Sequence, residues 1–326
     1  MIKVERRRML MAVGSLLAAP RLLAQPGQIH RVAFLSSGKQ SDTAAGIKAF
    51  LEGLHALGYQ EGRNFELDAR YADYSVELLG KLAAEIAARK PAAIMTSGGG
   101  IEAAFRLSPP QSVVFIFSGD PIEAGFADSL SRPGRNATGI SLLALELIAK
   151  RMELLKQCRP QMRRLALLAS PLHAGQKLEL AASRAAAEQL GVQVLYHEAR
   201  NAAELAAALP AVADAKPDAA LLFSDSLMIG ERRELAAFFL KHKIPSAAGW
   251  SAFPDSGHLL SYGPERNAVW RRAAQFMDRI IKGARPADLP IELPTVFELV
   301  VNRRTASAMN ITLPQGILVR ADRVIE

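Results

Sequence analysis

The chain has 326 residues, 50% hydrophobic and 22% charged, with 23 Gly and 18 Pro. These proportions exclude collagen-like, low-complexity and disordered classes, and the length fits about two domains of roughly 150 residues each. Half of the formal charge of +8 lies in residues 1–24, where Lys3, Arg6, Arg7, Arg8 and Arg21 stand against Glu5 alone. The body therefore carries only +4, too little to mark a nucleic-acid partner. The single cysteine, Cys158, excludes an intramolecular disulfide and a Cys-rich zinc site.

Residues 1–24 have the layout of an export signal. Arg6-Arg7-Arg8 precede an apolar stretch over 9–19, and Ala24 is a small residue just before Gln25. Eleven residues are too few to span a bilayer, which needs roughly 20. Arg6-Arg7-Arg8-Met9-Leu10 fits the twin-arginine arrangement, while Glu5 in place of Ser or Thr keeps the general secretory route open. No cysteine follows the cleavage point expected near Ala24, so a lipid anchor is excluded. The expectation is a cleaved leader and a soluble periplasmic protein.

Along the body, short β-rich runs alternate with amphipathic stretches. Strands are expected at 31–35 (RVAFL), 65–69, 92–96 and 113–117, and again at 164–169, 192–198, 219–223 and 245–248. Helices are expected between them, for example through Ile47, Phe50, Leu51 and Leu54, whose spacing of three and four makes one apolar face. Gly58 follows at the position where a helix usually stops in a left-handed residue. Further helices are expected over 75–88, 178–190, 202–215 and 230–242. Such alternation means βαβ units and parallel sheets flanked by helices.

Four strand–helix cycles on each side predict an α/β protein of two Rossmann-like lobes. Ser131-Arg132-Pro133-Gly134-Arg135-Asn136 is the expected linker, with thin crossings expected near 136–140, 249–262 and 290–297. After residue 248 the chain adds a strand at 259–262, a long helix over 264–282, an extended Pro-rich segment to 294 and a strand at 297–301. The expected division is an N-terminal lobe of 29–138 plus 263–293 and a C-terminal lobe of 139–262 plus 294–326.

In open parallel sheets, ligands sit beyond the carboxyl ends of the strands. Those ends read Ser36-Ser37-Gly38, Ser97-Gly98-Gly99-Gly100, Ser118-Gly119-Asp120, Ser170-Pro171 and Ser224-Asp225-Ser226. Short hydroxyls and glycines let backbone N–H groups approach a small polar ligand closely, although the same residues also cap helices and make tight turns. The expected ligand-binding residues are Ser36, Ser37, Ser97, Gly98, Gly99, Ser118, Asp120, Ser170, Asp225 and Trp250. Asp120 and Asp225, one in each lobe, are expected either to hold an amine or strong donor group or to cap the helices that follow them.

Other chemistries lack their signatures. There is no P-loop lysine, no G-x-G-x-x-G in the first βα turn and no closed nucleophile elbow around Ser251. The six histidines show no metal-binding spacing, so no metal, cofactor or catalytic residue is expected, although a Ser–His–Asp set assembled from distant residues stays open.

Several motifs together resemble the ABC transporter substrate-binding proteins of the type I periplasmic class, in the branch that includes tryptophan and tyrosine uptake proteins. They are Gly58-Tyr59-Gln60-Glu61-Gly62-Arg63-Asn64, Asp120-Pro121 with Gly125, and Arg132-Pro133-Gly134-Arg135-Asn136-Ala137-Thr138-Gly139. Lys150-Arg151-Met152-Glu153-Leu154-Leu155-Lys156, Ser261-Tyr262-Gly263, Gly283-Ala284-Arg285-Pro286-Ala287-Asp288-Leu289-Pro290 and the closing Arg320-Ala321-Asp322-Arg323-Val324-Ile325-Glu326 continue the likeness. So does Pro294-Thr295-Val296-Phe297-Glu298-Leu299-Val300-Val301-Asn302. The resemblance implies two lobes joined by three crossings, closing as a monomer on a small molecule that passes to an inner-membrane ABC permease. Tyr74, where relatives often have glycine, and Ser226, where many have proline, depart from the pattern beside cleft loops. An exported ligand-sensing component and an exported α/β hydrolase are the alternatives.

Overall fold

The computed structural model describes residues 29–142 and 144–326, so the expected export signal lies outside the described residues. The first sheet is built from β1 (His30–Ser36), β2 (Phe65–Tyr71), β3 (Ala93–Ser97), β4 (Val113–Phe117) and β5 (Ala137–Ser141). All its neighbours pair in parallel, in the order β2-β1-β3-β4-β5. The Val, Ile and Phe runs of β1 and β4 are buried along nearly their whole length, as strands covered on both faces must be. Helices α1 (Gln40–Ala56), α2 (Val76–Ala88) and α3 (Gly100–Phe105) connect them. α1 ends where Gly58 takes a φ of +92, the left-handed turn its sequence indicated.

The second half runs through α4 (Ala144–Cys158), β6 (Arg164–Ala169), α5 (Gln176–Gln189), β7 (Gln193–Glu198), α6 (Ala202–Asp214) and β8 (Ala219–Leu222). It continues through α7 (Ser226–Gly230), α8 (Arg232–Lys241), β9 (Ser246–Ala248), α9 (Ala252–Asp255), β10 (Leu260–Pro264) and α10 (Arg266–Ile281). A 3-10 turn at Pro286–Asp288 and β11 (Phe297–Asn302), α11 (Arg303–Ala308), α12 (Gln315–Arg320) and β12 (Arg323–Ile325) complete it. The second sheet has the order β12-β11-β10-β9-β8-β6-β7, with β10 and β11 antiparallel and the remaining pairs parallel. The protein is thus α/β, with two helix-flanked and mostly parallel sheets.

Although α10 follows the second sheet's strands, it returns to pack on the first. Its buried face includes Val269, Trp270, Ala273, Phe276, Met277 and Ile280. Gly46 and Gly53 of α1 let it approach: a Cβ on Gly46 would lie 2.3 Å from the Trp270 ring, and one on Gly53 2.8 Å from Ala274 Cβ. Phe34 of β1 meets the same indole at 5.7 Å between ring centres. This interdigitation closes the first lobe's core.

Two differences from the sequence expectation concern the crossings, while the third crossing falls within the expected 290–297. The segment 131–136 is a turn inside the first lobe, held by Arg135 Nε donating to Asp128 Oδ1 at 2.9 Å, and the chain leaves the first sheet only after β5. Residues 139–141, expected in the C-terminal lobe, therefore belong to the first sheet. The second crossing falls at Glu265, after β10 rather than within 249–262, because β9 and β10 both lie in the second sheet. Residues 263 and 264 accordingly belong to that sheet. The third runs beside β5, where Glu292 N–H donates to Gly139 O and Ser141 N–H to Glu292 O.

β5 reads poorly as a strand because it contains Gly139, yet the glycine is required. Its φ is +151, and a Cβ there would lie 2.0 Å from the Phe115 carbonyl oxygen of β4. Gly139→Ala is expected to lower stability by about 3 kcal/mol through overpacking in the sheet interior. Urea denaturation of the purified variant measures this, and an unchanged midpoint would refute it.

Candidate functional site

The βα loops of both sheets meet at a cleft containing two adjoining cavities, of about 170 Å³ and about 70 Å³. Gly98, His173 and Ser226 line both. The first sheet contributes the segments after β1, β2, β3, β4 and β5, and the second those after β6, β7, β8 and β9. Of the expected residues, Ser37, Gly98, Gly99, Ser170 and Asp225 line the larger cavity. Ser36, Ser97, Ser118 and Trp250 line the smaller one, which Gly98 also borders.

Asp120 is the exception. Its Oδ1 accepts from the N–H groups of Ile122 and Glu123 at 2.7 and 3.3 Å, and it lines neither cavity. This geometry does not fit the ligand-holding alternative, and what Asp120 caps is a turn, since among the described residues no helix stands between β4 and β5. Asp225 borders the larger cavity but its oxygens are committed too. Oδ1 accepts from Met228 N–H at 2.9 Å and Oδ2 from Ser170 N–H at 2.8 Å. It therefore caps α7 and ties the β8 loop to the β6 loop. Burial raises its pKa, against the pull of nearby His173 and of those two N–H groups.

The lobes touch across the cleft. Ser37 and Ser226 hydroxyls lie 2.9 Å apart, and Ser118 Oγ of the first lobe lies 3.0 Å from His173 Nε2 of the second. Tyr74 forms the longest bridge. Its φ of +66 is one that glycine adopts freely, and its phenol donates to Asp42 Oδ2 at 2.6 Å. Burial, reinforced by Asp42, raises the phenol pKa and keeps it a donor. The same phenol lies against α7, where a Cβ on Gly230 would come within 1.7 Å of it. Asp42 Oδ1 also faces Arg232 Nη1 of the second lobe at 4.0 Å. Gly230→Leu is expected to wedge the lobes apart and enlarge the radius of gyration, with Tyr74→Ala in that background restoring the wild-type value. Small-angle scattering on the three proteins checks this; a Gly230→Leu curve that superimposes on wild type would refute the contact.

His173, Glu179 and Ser118 form a set of the kind that the sequence left open, with Glu in place of Asp. Glu179 Oε1 lies 2.8 Å from His173 Nε2, the same nitrogen that meets Ser118. A nucleophilic triad needs the acid on one ring nitrogen and the serine on the other, so this arrangement lacks a relay. Burial pulls the His173 pKa down, but the charge and hydrogen bond of Glu179, with Asp225 nearby, outweigh it and raise the value. The Arg151 guanidinium behind them is pushed down to about 10 by burial, with Glu179 opposing the shift, and its Nε donates to Tyr262 O at 2.8 Å. A histidine whose folded pKa is raised adds stability that is full below the unfolded value of about 6.5 and is lost as pH rises through the raised one. Urea denaturation between pH 6 and 8.5 should show this loss in the wild type and its absence in His173→Gln/Glu179→Gln. Equal pH slopes in the two proteins would refute the pairing.

Sequence reasoning missed Asp42, Thr43, Leu142, Ile229, Arg266 and Trp270, all of which line the smaller cavity. Arg266 and Trp270 lie in the first turns of α10, just after β10, where the strand end reads Gly263-Pro264-Glu265 without the Ser and Gly pattern that marked the other loops. Among the described residues, no group of His, Cys, Asp or Glu is placed to hold a metal, and no helix is long and apolar enough to cross a membrane.

Comparison with known proteins agrees with this architecture. Residues 32–325 match the family model described as ABC transporter substrate binding protein. The curated "Tyrosine-binding protein" of Clostridioides difficile (strain R20291) is 22% identical over 265 residues, covering 81% of this chain and 76% of that protein. A conserved domain protein from Vibrio cholerae superimposes with a TM-score of 0.84 at 23% identity, covering 91% of this chain and all of that one. An ABC domain from Streptococcus pneumonia in complex with L-Trp gives 0.83 at 21% identity, with the same coverage.

Proposed function

Since this chain belongs to the ABC transporter substrate-binding protein family, a family of solute-binding proteins rather than enzymes, we propose that it captures a small polar solute between its lobes and delivers it to an ABC permease. The solute is an amino acid or a related compound, and the protein acts as a monomer in the periplasm. The observation that carries this reading is the shared cleft. Loops from both sheets line its two cavities, and the Ser37–Ser226, Ser118–His173 and Tyr74–Gly230 contacts exist only when the lobes are together. Binding energy that is available only in the closed form shifts the population toward that form.

The relatives support the ligand class. One is named for tyrosine and another was solved with L-Trp, whereas a fold neighbour from Agrobacterium vitis holds allitol at 14% identity and a TM-score of 0.62. The periplasmic location rests on the arginine cluster and short apolar stretch of residues 1–24. N-terminal sequencing of protein from a periplasmic extract is expected to begin just after Ala24.

A thermal-shift screen of amino acids, small carboxylates and amines is expected to find a solute that stabilises the protein by about 2.7 kcal/mol at 100 times its dissociation constant. Small-angle scattering should then show a smaller radius of gyration with that solute than without it. Scattering curves that superimpose at saturation, with binding established by calorimetry, would refute closure as the response to ligand.

A further inference from the structure

We propose that the ligand of this cleft is a small organic carboxylate with an apolar body, and that Arg266 seats its carboxylate in the smaller cavity. The inference rests on reading the cleft as the ligand site and adds the charge and shape of the ligand to that reading.

The smaller cavity is lined by one arginine, Arg266, and one carboxylate, Asp42, and the arginine is the less engaged of the two. Among the described residues the Arg266 guanidinium makes one hydrogen bond, from Nη2 to the backbone oxygen of Asp42 at 2.6 Å, and no ion pair within 4.0 Å. Arg232 stands close enough to repel it. Burial first, and Arg232 second, bring the Arg266 pKa down to about 10, so the group stays charged at neutral pH. The carboxylate between the two arginines is already occupied. Asp42 Oδ2 accepts from the Tyr74 phenol at 2.6 Å and from Lys39 N–H at 2.9 Å, and Oδ1 accepts from Ser41 Oγ at 3.2 Å. Two cations thus share one engaged anion at the cleft, where an incoming anion gains and an ammonium loses.

A second group in the same cavity awaits a partner. Thr43 is 8% exposed and lines the cavity, and its Oγ1 makes no hydrogen bond of ordinary geometry. Burial raises the pKa of the Tyr71 phenol, and Thr43 stands close enough to oppose that rise as a hydrogen-bonding neighbour does. A buried hydroxyl without a partner is costly, and a carboxylate oxygen would satisfy it as a donor. Guanidinium and hydroxyl donors are the chemistry that binds a carboxylate, the guanidinium able to present two parallel N–H groups. The cavity's volume of about 70 Å³ suits such a head group, being about that of two waters at roughly 30 Å³ each.

The walls define the remainder of the ligand. Trp250 of the second lobe and Trp270 of the first border the carboxylate seat. The larger cavity continues past Gly98, His173 and Ser226 and is lined by Val76, Leu79, Leu172 and Leu227. An apolar chain or ring fits there and would not repay a polyol for its lost water. Asp120 lines neither cavity, both oxygens of Asp225 accept backbone N–H groups, and Glu102 at the larger cavity is paired with Arg106, so none of these acids is placed to select an amine.

Isothermal calorimetry on the mature chain tests this with 3-phenylpropionate, L-phenylalanine, L-phenylalaninamide and phenethylamine, and with L-tryptophan, L-tryptophanamide and tryptamine. The carboxylates are expected to bind at least tenfold more tightly than the amides and amines of the same body. Arg266→Gln should weaken carboxylate binding about ten- to a hundredfold, with Arg266→Lys between it and wild type. The melting temperature of each ligand-free variant, measured alongside, separates lost recognition from lost folding. Amines or amides that bind as tightly as the acids, no measurable binding of any carboxylate to the wild type, or unchanged affinity in a folded Arg266→Gln would overturn the assignment. A sugar or amine found to bind and close the protein would overturn it too, while leaving the solute-binding reading intact.

Discussion

Parallel strand pairing governs this molecule. Each parallel connection must return along the outside of the sheet, so every loop after a strand emerges at the same edge. Two such sheets placed edge to edge confront each other with loops alone. Those loops carry the sheets' only non-repeating backbone, with free N–H groups, tight turns and helix starts. The cleft, its serines and glycines, and the contacts between lobes all follow from that placement. Small residues dominate because backbones must approach: a Cβ on Gly98 would lie 2.6 Å from Ser226 Oγ across the gap.

Charge is distributed unevenly within the cleft. The acids at the strand ends serve the architecture, since Asp225 pins two loops and Asp120 closes one turn. Glu179 is paired with His173, and Asp42 gathers the Tyr74 phenol and two N-terminal groups of α1. Arg266 is less committed, holding one backbone oxygen. A cleft whose strand-end acids are satisfied internally while one of its arginines is not has a definite polarity toward solutes, which its serine-lined loops do not reveal.

Much of the fold was legible in the sequence and less of the site. β4 was readable to the residue, and β1 and β2 within two, because long apolar runs bounded by Gly, Ser and Asn leave few alternatives. β5 was hidden by Gly139, whose role depends on the neighbouring strand's carbonyl and not on local propensity. The strand-end rule found nine cleft residues because it follows from topology. It could not separate Asp120 from Asp225, since both occupy the same kind of turn and differ only in what the turn faces. Nor could it find Thr43, Arg266 or Trp270, which sit on helices and reach the cleft through the packing of α10 on α1. Tyr74 and Ser226 were noticed only as departures from a family pattern, and both prove to be contacts between the lobes.

The packing of α10 on α1 also constrains how the chain is made. Residues 29–141 contain the whole of the first sheet, yet the surface formed by Phe34, Gly46 and Gly53 stays uncovered until Trp270 and Ala274 arrive more than 120 residues later. A nascent chain emerges at about 5–20 residues per second, so the first lobe waits several seconds for its last helix while the second lobe is being synthesised. Neither lobe can therefore finish folding until the sequence is nearly complete, the first waiting for α10 and the second for β11 and β12.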